Sequence, residues 1–420
     1  MRRRAILAAV AAAALAFAGC GGDDEDAGGG SGGGELGPIK FQVTGDPEET
    51  RVYGELAASY RRETGRTVEI VEVPERDIHL AKLTTSFSAG QPPDVFLLNY
   101  RYMGAFSARS AIEPAADRLE SSSALASENF YPLPMQAFEW EGELQCVPQN
   151  ASSLAVYYNV DAFKAAGVEP PADGWTYDDF AAAAEQLTGD GGHGVGIDVN
   201  VIRTAPWVWS AGGELVDDPE RPTRFTLDTP EARQGLENLL ALQREGWAPN
   251  ADESDAKAVD ERFLDGSVAM LLSSRRDVPL LRTIDEFEWD VAAFPTDERP
   301  ASVLHSDGFC MAKGGDSDAG WAWIEYALGP EGQEVLAQSG RSVPSLKAVA
   351  ESPAFLDPAD PPASSQVFLD ALEHMQPLPV TQNWNEVEKL ADDVLGQLYY
   401  GELEVDEALA RLAQETDGKF

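Results

Sequence analysis

Between Ile39 and Leu98 the chain alternates short apolar runs with amphipathic ones, and no other feature restricts its fold as strongly. Ile39, Phe41 and Val43 recur with period two, as one face of a strand does, and Gly45-Asp46-Pro47 interrupts them. Val52, Leu56 and Tyr60 then fall at helical spacing. Gly65 closes that helix, residues 68–73 read as the next strand and 78–87 as the next helix. Pro92-Pro93-Asp94 leads into a short buried strand at 95–98. Strands separated by helices pair in parallel, so the chain is expected to build an open α/β sheet. Ligands of such sheets lie beyond the carboxyl ends of the strands. The loops at 44–48 and 99–102 occupy such ends.

The pattern continues with a strand at 154–158 and a helix at 177–187, entered through Gly174-Trp175-Thr176, where Thr176 is suited to cap it. Helices are expected at 230–244 and 256–264, and strands at 268–272, 289–293 and 308–312. The remainder reads as mainly helical, at 319–328, 330–338, 366–374, 386–399 and 405–414. The glycine run Gly191-Gly192-His193-Gly194-Val195-Gly196 fails the dinucleotide spacing and reads as a loop.

Ahead of this body, Arg2-Arg3-Arg4, an apolar run to Ala18 and Gly19-Cys20 follow the order of a signal peptide at 1–19. The run is shorter than the ~20 apolar residues a spanning helix needs. Phe17-Ala18-Gly19-Cys20 resembles a lipobox, with Phe17 where an aliphatic residue is usual, and Cys20 is the expected lipidation site. Residues 20–37 then read as a glycine-rich linker with no means of burying a core, consistent with a tether that anchors the protein outside the cytoplasm.

With 72 acidic against 31 basic residues and a formal charge of -41, the chain repels phosphate backbones, and nucleic acid is not an expected partner. His79, His193, His305 and His374 are scattered, with no zinc-ligand spacing, so no metal or cofactor is expected. Neither a serine nucleophile elbow nor a phosphate loop occurs. Acidic residues are too abundant for a hydrolytic carboxylate pair to be singled out. Cys146 and Cys310 remain in the body, either as a disulfide or as two buried thiols.

Several stretches together resemble the sugar-type extracellular solute-binding proteins of ABC importers. They are Ala89-Gly90-Gln91-Pro92-Pro93-Asp94-Val95-Phe96, Cys146-Val147-Pro148, Val156-Tyr157-Tyr158-Asn159 and Gly174-Trp175-Thr176-Tyr177. Ala211-Gly212-Gly213-Glu214-Leu215 and Phe263-Leu264-Asp265-Gly266-Ser267 follow in the same order. The resemblance implies a non-enzymatic α/β protein with a two-lobed periplasmic-binding-protein-like fold, each lobe a mixed sheet flanked by helices, joined by hinge strands and closing on its ligand. The lobes would comprise 38–147 with 309–355, and 148–307 with 356–416. It further implies that Cys146 and Cys310 lie on neighbouring hinge strands and pair. The implied partners are a small solute, chiefly a mono- or oligosaccharide, and ABC permease subunits, with the protein itself a monomer. The rival functions are a secreted glycan-acting hydrolase and a sensor or scaffold lipoprotein on the same fold.

Sugars are held by aromatic rings against their C–H faces and by planar polar groups at their hydroxyls. The expected contacts are Asp46, Glu48, Asn99, Tyr100, Tyr102, Gln149 and Asn150 from the first lobe or its border. The other lobe offers Trp207, Trp209, Ser274, Arg275, Asp307, Asn383 and Trp384, of which Trp384 with Asn383 resembles a stacking position of relatives. His305 and Ser306 adjoin this set. One of Trp207 and Trp209 faces away if their segment is extended. Asp46 and Glu48 are equally explained as acids favouring a helix N-terminus, Arg275 equally by a surface carboxylate, and Trp321 and Trp323 read as core.

Overall fold

The alternation at 39–43 resolves into strand β1 (Ile39–Thr44) at the heart of a sheet, with Ile39, Phe41 and Val43 buried. Gln42, on the opposite face, is buried as well, because helices cover both sides; its amide nitrogen lies 3.3 Å from Nδ1 of His79. The coordinates are a computed structural model describing residues 37–45, 47–189 and 191–420. The signal-peptide and lipidation readings, including Cys20, and the candidate Asp46 lie outside the described residues.

Helix α1 (Pro47–Thr64) follows β1 and buries Val52, Tyr53, Leu56 and Tyr60. Strand β2 (Val68–Val73), helix α2 (Arg76–Ser88), strand β3 (Val95–Asn99) and helix α3 (Tyr100–Ser107) complete the alternation read from the sequence. Both β2 and β3 pair in parallel with β1. The rest of the sheet is antiparallel and comes from distant segments. The short β4 (Ile112–Glu113) and β5 (Cys146–Pro148) flank a late strand, β10 (Asp307–Ala312), which itself pairs with β3. Phe41 stacks on Phe309 of β10 at 4.7 Å between ring centroids and meets Tyr53 edge-on at 5.4 Å. Trp321 and Trp323 are buried, as their helical periodicity predicts.

A second sheet is built from the middle of the chain: β6 (Leu154–Asn159), β7 (His193–Gly196), β8 (Val268–Ser274) and β9 (Trp289–Ala292), in the order β9-β6-β8-β7. β6 runs antiparallel to both neighbours, and β7 is parallel to β8. Both sheets are thus mixed, and the fold is the expected two-lobed α/β arrangement. The chain leaves the first sheet after β5 and returns to it at β10. Between these strands Ser152 and His305 exchange backbone hydrogen bonds, Ser152 N to His305 O at 2.9 Å and His305 N to Ser152 O at 2.8 Å. Cys146 and Cys310 stand opposite each other on β5 and β10 and are joined by a disulfide.

Three readings of the sequence are corrected. The glycine run is not a loop, because 193–196 forms β7; a Cβ on Gly194 would stand 2.0 Å from the carbonyl oxygen of Ala184, so glycine is what lets this strand press against the helix Tyr177–Leu187. The segment carrying Trp207 and Trp209 is not extended but a helix, Val201–Ser210, started by Asn200, whose side chain accepts from the Arg203 amide. The helix expected at 256–264 is divided into Ala251–Ala256 and Val259–Leu264, with Lys257 extended between them.

The obstacle facing Gly194 is backbone, which has little freedom to move. Gly194→Ala is therefore expected to destabilise the protein by about 1–3 kcal/mol, read as a shifted midpoint in chemical denaturation. An unchanged midpoint would show that the strand and helix are not in close contact.

Candidate functional site

A cavity of about 560 Å³ opens beyond the carboxyl ends of β1 and β3, where the parallel alternation predicts a ligand. Thr44, Asn99 and Tyr102 line it from the first sheet, Ser274 and Arg276 from the second, and Asn150, Ser152, His305 and Asp307 from the segments crossing between them. A solute seated there would touch both sheets and both crossings.

The polar groups of this wall are organised by one another. Asn99 caps α3 by accepting from the Arg101 amide at 3.3 Å, and the same oxygen takes Arg101 Nε at 3.0 Å. Its Nδ2 donates to Asp307 Oδ1 at 3.1 Å. Asn150 Oδ1 accepts from the Asp307 amide at 2.8 Å, and Ser306 Oγ donates to the Asn150 carbonyl at 2.6 Å. These bonds lock Asn99 of β3, Asn150 just past β5, and Ser306 and Asp307 at the start of β10 in one geometry, the preorganisation that lowers the ordering cost of binding.

Among the sequence candidates, Asn99, Tyr102, Asn150, Ser274 and Asp307 reach the cavity. Others are placed elsewhere for identifiable reasons. Tyr100 is buried, its hydroxyl donating to Leu304 O at 3.1 Å and accepting from Leu378 N at 2.9 Å, which makes it a strut. Gln149 is buried with its Oε1 2.9 Å from the Tyr53 hydroxyl, and its carbonyl accepts from Gln333. Trp207 packs edge-on to Phe294 at 4.9 Å, Trp209 is buried on the same helix, and Trp384 packs with Phe225 and Phe420. Their rings are core. Arg275 is buried, its guanidinium 4.2 Å from the Phe355 ring centroid and bonded to Ser365 Oγ at 3.0 Å. Burial lowers its pKa to about 9. Glu48 is half-buried and bonded to Arg51, and Asn383 lines a separate hollow with Arg109 and Glu386.

The cavity also holds groups that the sequence reading did not select: Glu49, Arg76, Arg101, Arg276, Arg341 and His79. Glu49 and Arg341 pair at 2.6 Å. Arg276 and Glu49 are the immediate neighbours of the selected Arg275 and Glu48, so the signal was the loop and not the residue. Burial lowers the pKa of His79 to about 4, although Leu97 O lies 2.9 Å from its Nε2. Arg101 and Glu388 form a buried ion pair, which Tyr102 approaches with its hydroxyl 3.4 Å from Glu388. Through it α3 is tied to the helix Trp384–Tyr399. One turn along that helix, Asp392 accepts from the Val201 amide at 2.7 Å and fastens the helix Val201–Ser210. Burial, with Glu388 nearby, raises its pKa to about 7 despite that bond and the opposing pull of Arg101 and Arg76.

The sequence profile describing bacterial extracellular solute-binding proteins matches residues 55–363. A Brucella abortus protein named as a binding protein is 23% identical over 401 residues, covering 91% of this chain and 93% of that one. The maltotriose-binding protein of Pyrococcus abyssi is 24% identical over 374 residues, 85% of this chain and 77% of its own. Among solved structures, the Listeria monocytogenes ABC substrate-binding protein in complex with cycloalternan superposes with a TM-score of 0.83. It is 20% identical, covering 90% of this chain and 98% of that one.

A carboxyl whose folded pKa is raised holds its proton longer in the native state than in the unfolded chain. Its contribution is therefore retained at low pH and lost as pH rises from about 4 to about 7. Asp392→Asn should flatten that decline and raise stability at pH 8 by as much as about 4 kcal/mol. Denaturation midpoints measured from pH 4 to 8 check this; parallel profiles for the two proteins would contradict it.

Proposed function

The chain belongs to the bacterial extracellular solute-binding protein family, and from that premise we propose that the cavity captures a carbohydrate-class solute and delivers it to the permease of an ABC importer. The observation that carries this reading is the placement of the cavity across both crossings, with Asn150, Ser152, His305 and Asp307 in its wall. A solute bonded there favours whichever arrangement of the sheets lets both sides contact it, and binding energy selects that state by differential affinity. The relatives named for maltotriose and cycloalternan support the carbohydrate class.

We assign 38–147 with 309–355 to the lobe around the first sheet and 148–307 with 356–416 to the lobe around the second, although Pro148 and Asp307 at these bounds still pair within the first sheet. We place the hinge at 149–153 and 304–306, where the chain passes between sheets. The protein acts as a monomeric binder and not as a hydrolase, a reading supported by the binding role of its family. Cys20 carries the lipid that holds it beside its permease, with residues 21–37 as the tether. Mass spectrometry of the mature N-terminus checks the anchor, for which an unmodified Cys20 is the contrary result.

A solute that binds only the folded chain raises its stability by about 2.7 kcal/mol at a hundredfold excess over Kd. A thermal-shift screen of mono- and oligosaccharides should find such a compound. Asn150→Ala and Asp307→Ala should each weaken its binding by about 1–3 kcal/mol. Hits unaffected by either substitution would place the solute outside this cavity.

A further inference from the structure

The aromatic rings that a neutral sugar would stack upon are committed elsewhere. Among the described residues lining the cavity, Tyr102 is the only Phe, Tyr or Trp, and it already has the guanidiniums of Arg76 and Arg101 over its ring at 5.2 and 5.1 Å. Trp207, Trp209 and Trp384 are buried in the core. What the wall offers instead is arginine: in a chain with 72 acidic and 31 basic residues, Arg76, Arg101, Arg276 and Arg341 all line this one cavity.

Two of these are held in largely buried ion pairs, Arg101 with Glu388 and Arg341 with Glu49, whereas Arg76 and Arg276 are exposed and, among the described residues, form ion pairs with their chain neighbours Asp77 and Asp277, at 3.6 and 3.4 Å. The carboxylates Glu72 and Glu75 are exposed at the mouth, and Asp307 is engaged by Asn99. Around His305 the situation differs. Its ring lines the cavity, and its Nε2 is buried with no hydrogen-bond partner among the described residues. Arg203 Nε, from the helix Val201–Ser210, is buried and equally without a partner, with Asp198 and Asp277 the acids acting on its charge. Arg276 is exposed to the cavity and has Asp277 at 3.4 Å. Burial first, then the charges of Arg101, Arg203 and Arg276, hold the pKa of His305 well below its usual value, and Arg101 and Arg276 line the same cavity as its ring. A buried polar atom left unpaired destabilises the unliganded protein, and a ligand oxygen that pairs it removes that penalty. The guanidinium fork matches a carboxylate or phosphate better than a lone hydroxyl.

We propose that the captured solute carries an anionic group, a carboxylate or a phosphate ester on a polyhydroxy body, seated against Arg276 and His305 in the cavity wall. The inference rests on the solute-capture reading and specifies its ligand. Asn99, Asn150 and Asp307 would hold the hydroxyls of the same molecule.

The test is calorimetric titration of the full chain with D-glucose, D-glucuronate and glucose 1-phosphate, which share a body and differ in charge. At least one anion is expected to bind about tenfold or more tighter than glucose, and which anion it is distinguishes a carboxylate from a phosphate solute. Arg276→Gln should shrink that ratio about tenfold, and Arg203→Gln, which removes a charge outside the cavity wall, should shrink it less. Arg276 is exposed, so its variant carries the test if the Arg203 variant does not fold. Glucose binding as tightly as both anions, or a ratio unmoved by Arg276→Gln, would overturn the proposal. If neutral oligosaccharides bind and anionic sugars do not, this proposal fails while solute capture stands. If a broad panel of either charge leaves the protein unchanged, solute capture itself fails.

Discussion

Everything that gives this protein a site follows from one backbone pairing, the exchange of hydrogen bonds between Ser152 and His305 where the chain passes between its two sheets. Two crossings that pair with each other form a ribbon, and a ribbon bends more readily than it slides. The pairing also fixes the spacing of the residues beside it: Asn150 on one crossing reaches the Asp307 amide on the other, and Asp307 in turn engages Asn99 on β3. The cavity floor is therefore set by backbone register before any ligand arrives. The disulfide between Cys146 and Cys310 closes the same pair of strands on the first-sheet side.

Much of this is legible in the sequence, because the rules that reveal it are local. Period-two apolar runs broken by Gly-Asp-Pro and Pro-Pro-Asp announce a parallel sheet, and a parallel sheet says where its ligand sits. Asn99 and Tyr102 follow from that reasoning, while Asn150, Ser274 and Asp307 come from the hinge and second-lobe positions that the family resemblance implies; all of them line the cavity. The failures are of two kinds. Where a strand turns sharply, neighbouring side chains go to opposite environments, so Arg275 enters the core and Arg276 the cavity. Only the turn itself decides which. Trp207 and Trp209 differ for another reason: their helix contains Pro206 and reads ambiguously, and a large apolar ring in a helix buried everywhere but at Arg203 gains more from the core than from a cleft.

A binding cleft rich in guanidiniums within a chain of formal charge -41 is an electrostatic choice. Each arginine there is either paired at some cost in desolvation or left with donors for something else. The pair Arg101–Glu388 belongs to the first kind and doubles as a clasp, since it joins α3 to the helix Trp384–Tyr399, while Asp392 on that helix holds the helix Val201–Ser210. The helix Trp384–Tyr399 is thereby connected to elements on both sides of the cavity. Arg276 is nearer the second kind, exposed in the cavity wall with Asp277 at 3.4 Å, and the same wall holds His305, whose Nε2 is buried without a partner among the described residues.

The central claim, that one solute is held by both sheets and by the crossings between them, is tested most directly by hydrogen–deuterium exchange with and without a saturating ligand. The account predicts that ligand slows exchange together at 99–102, 150–152, 274–276 and 305–307. Slowing confined to segments of one sheet, or found only away from these residues, would contradict it.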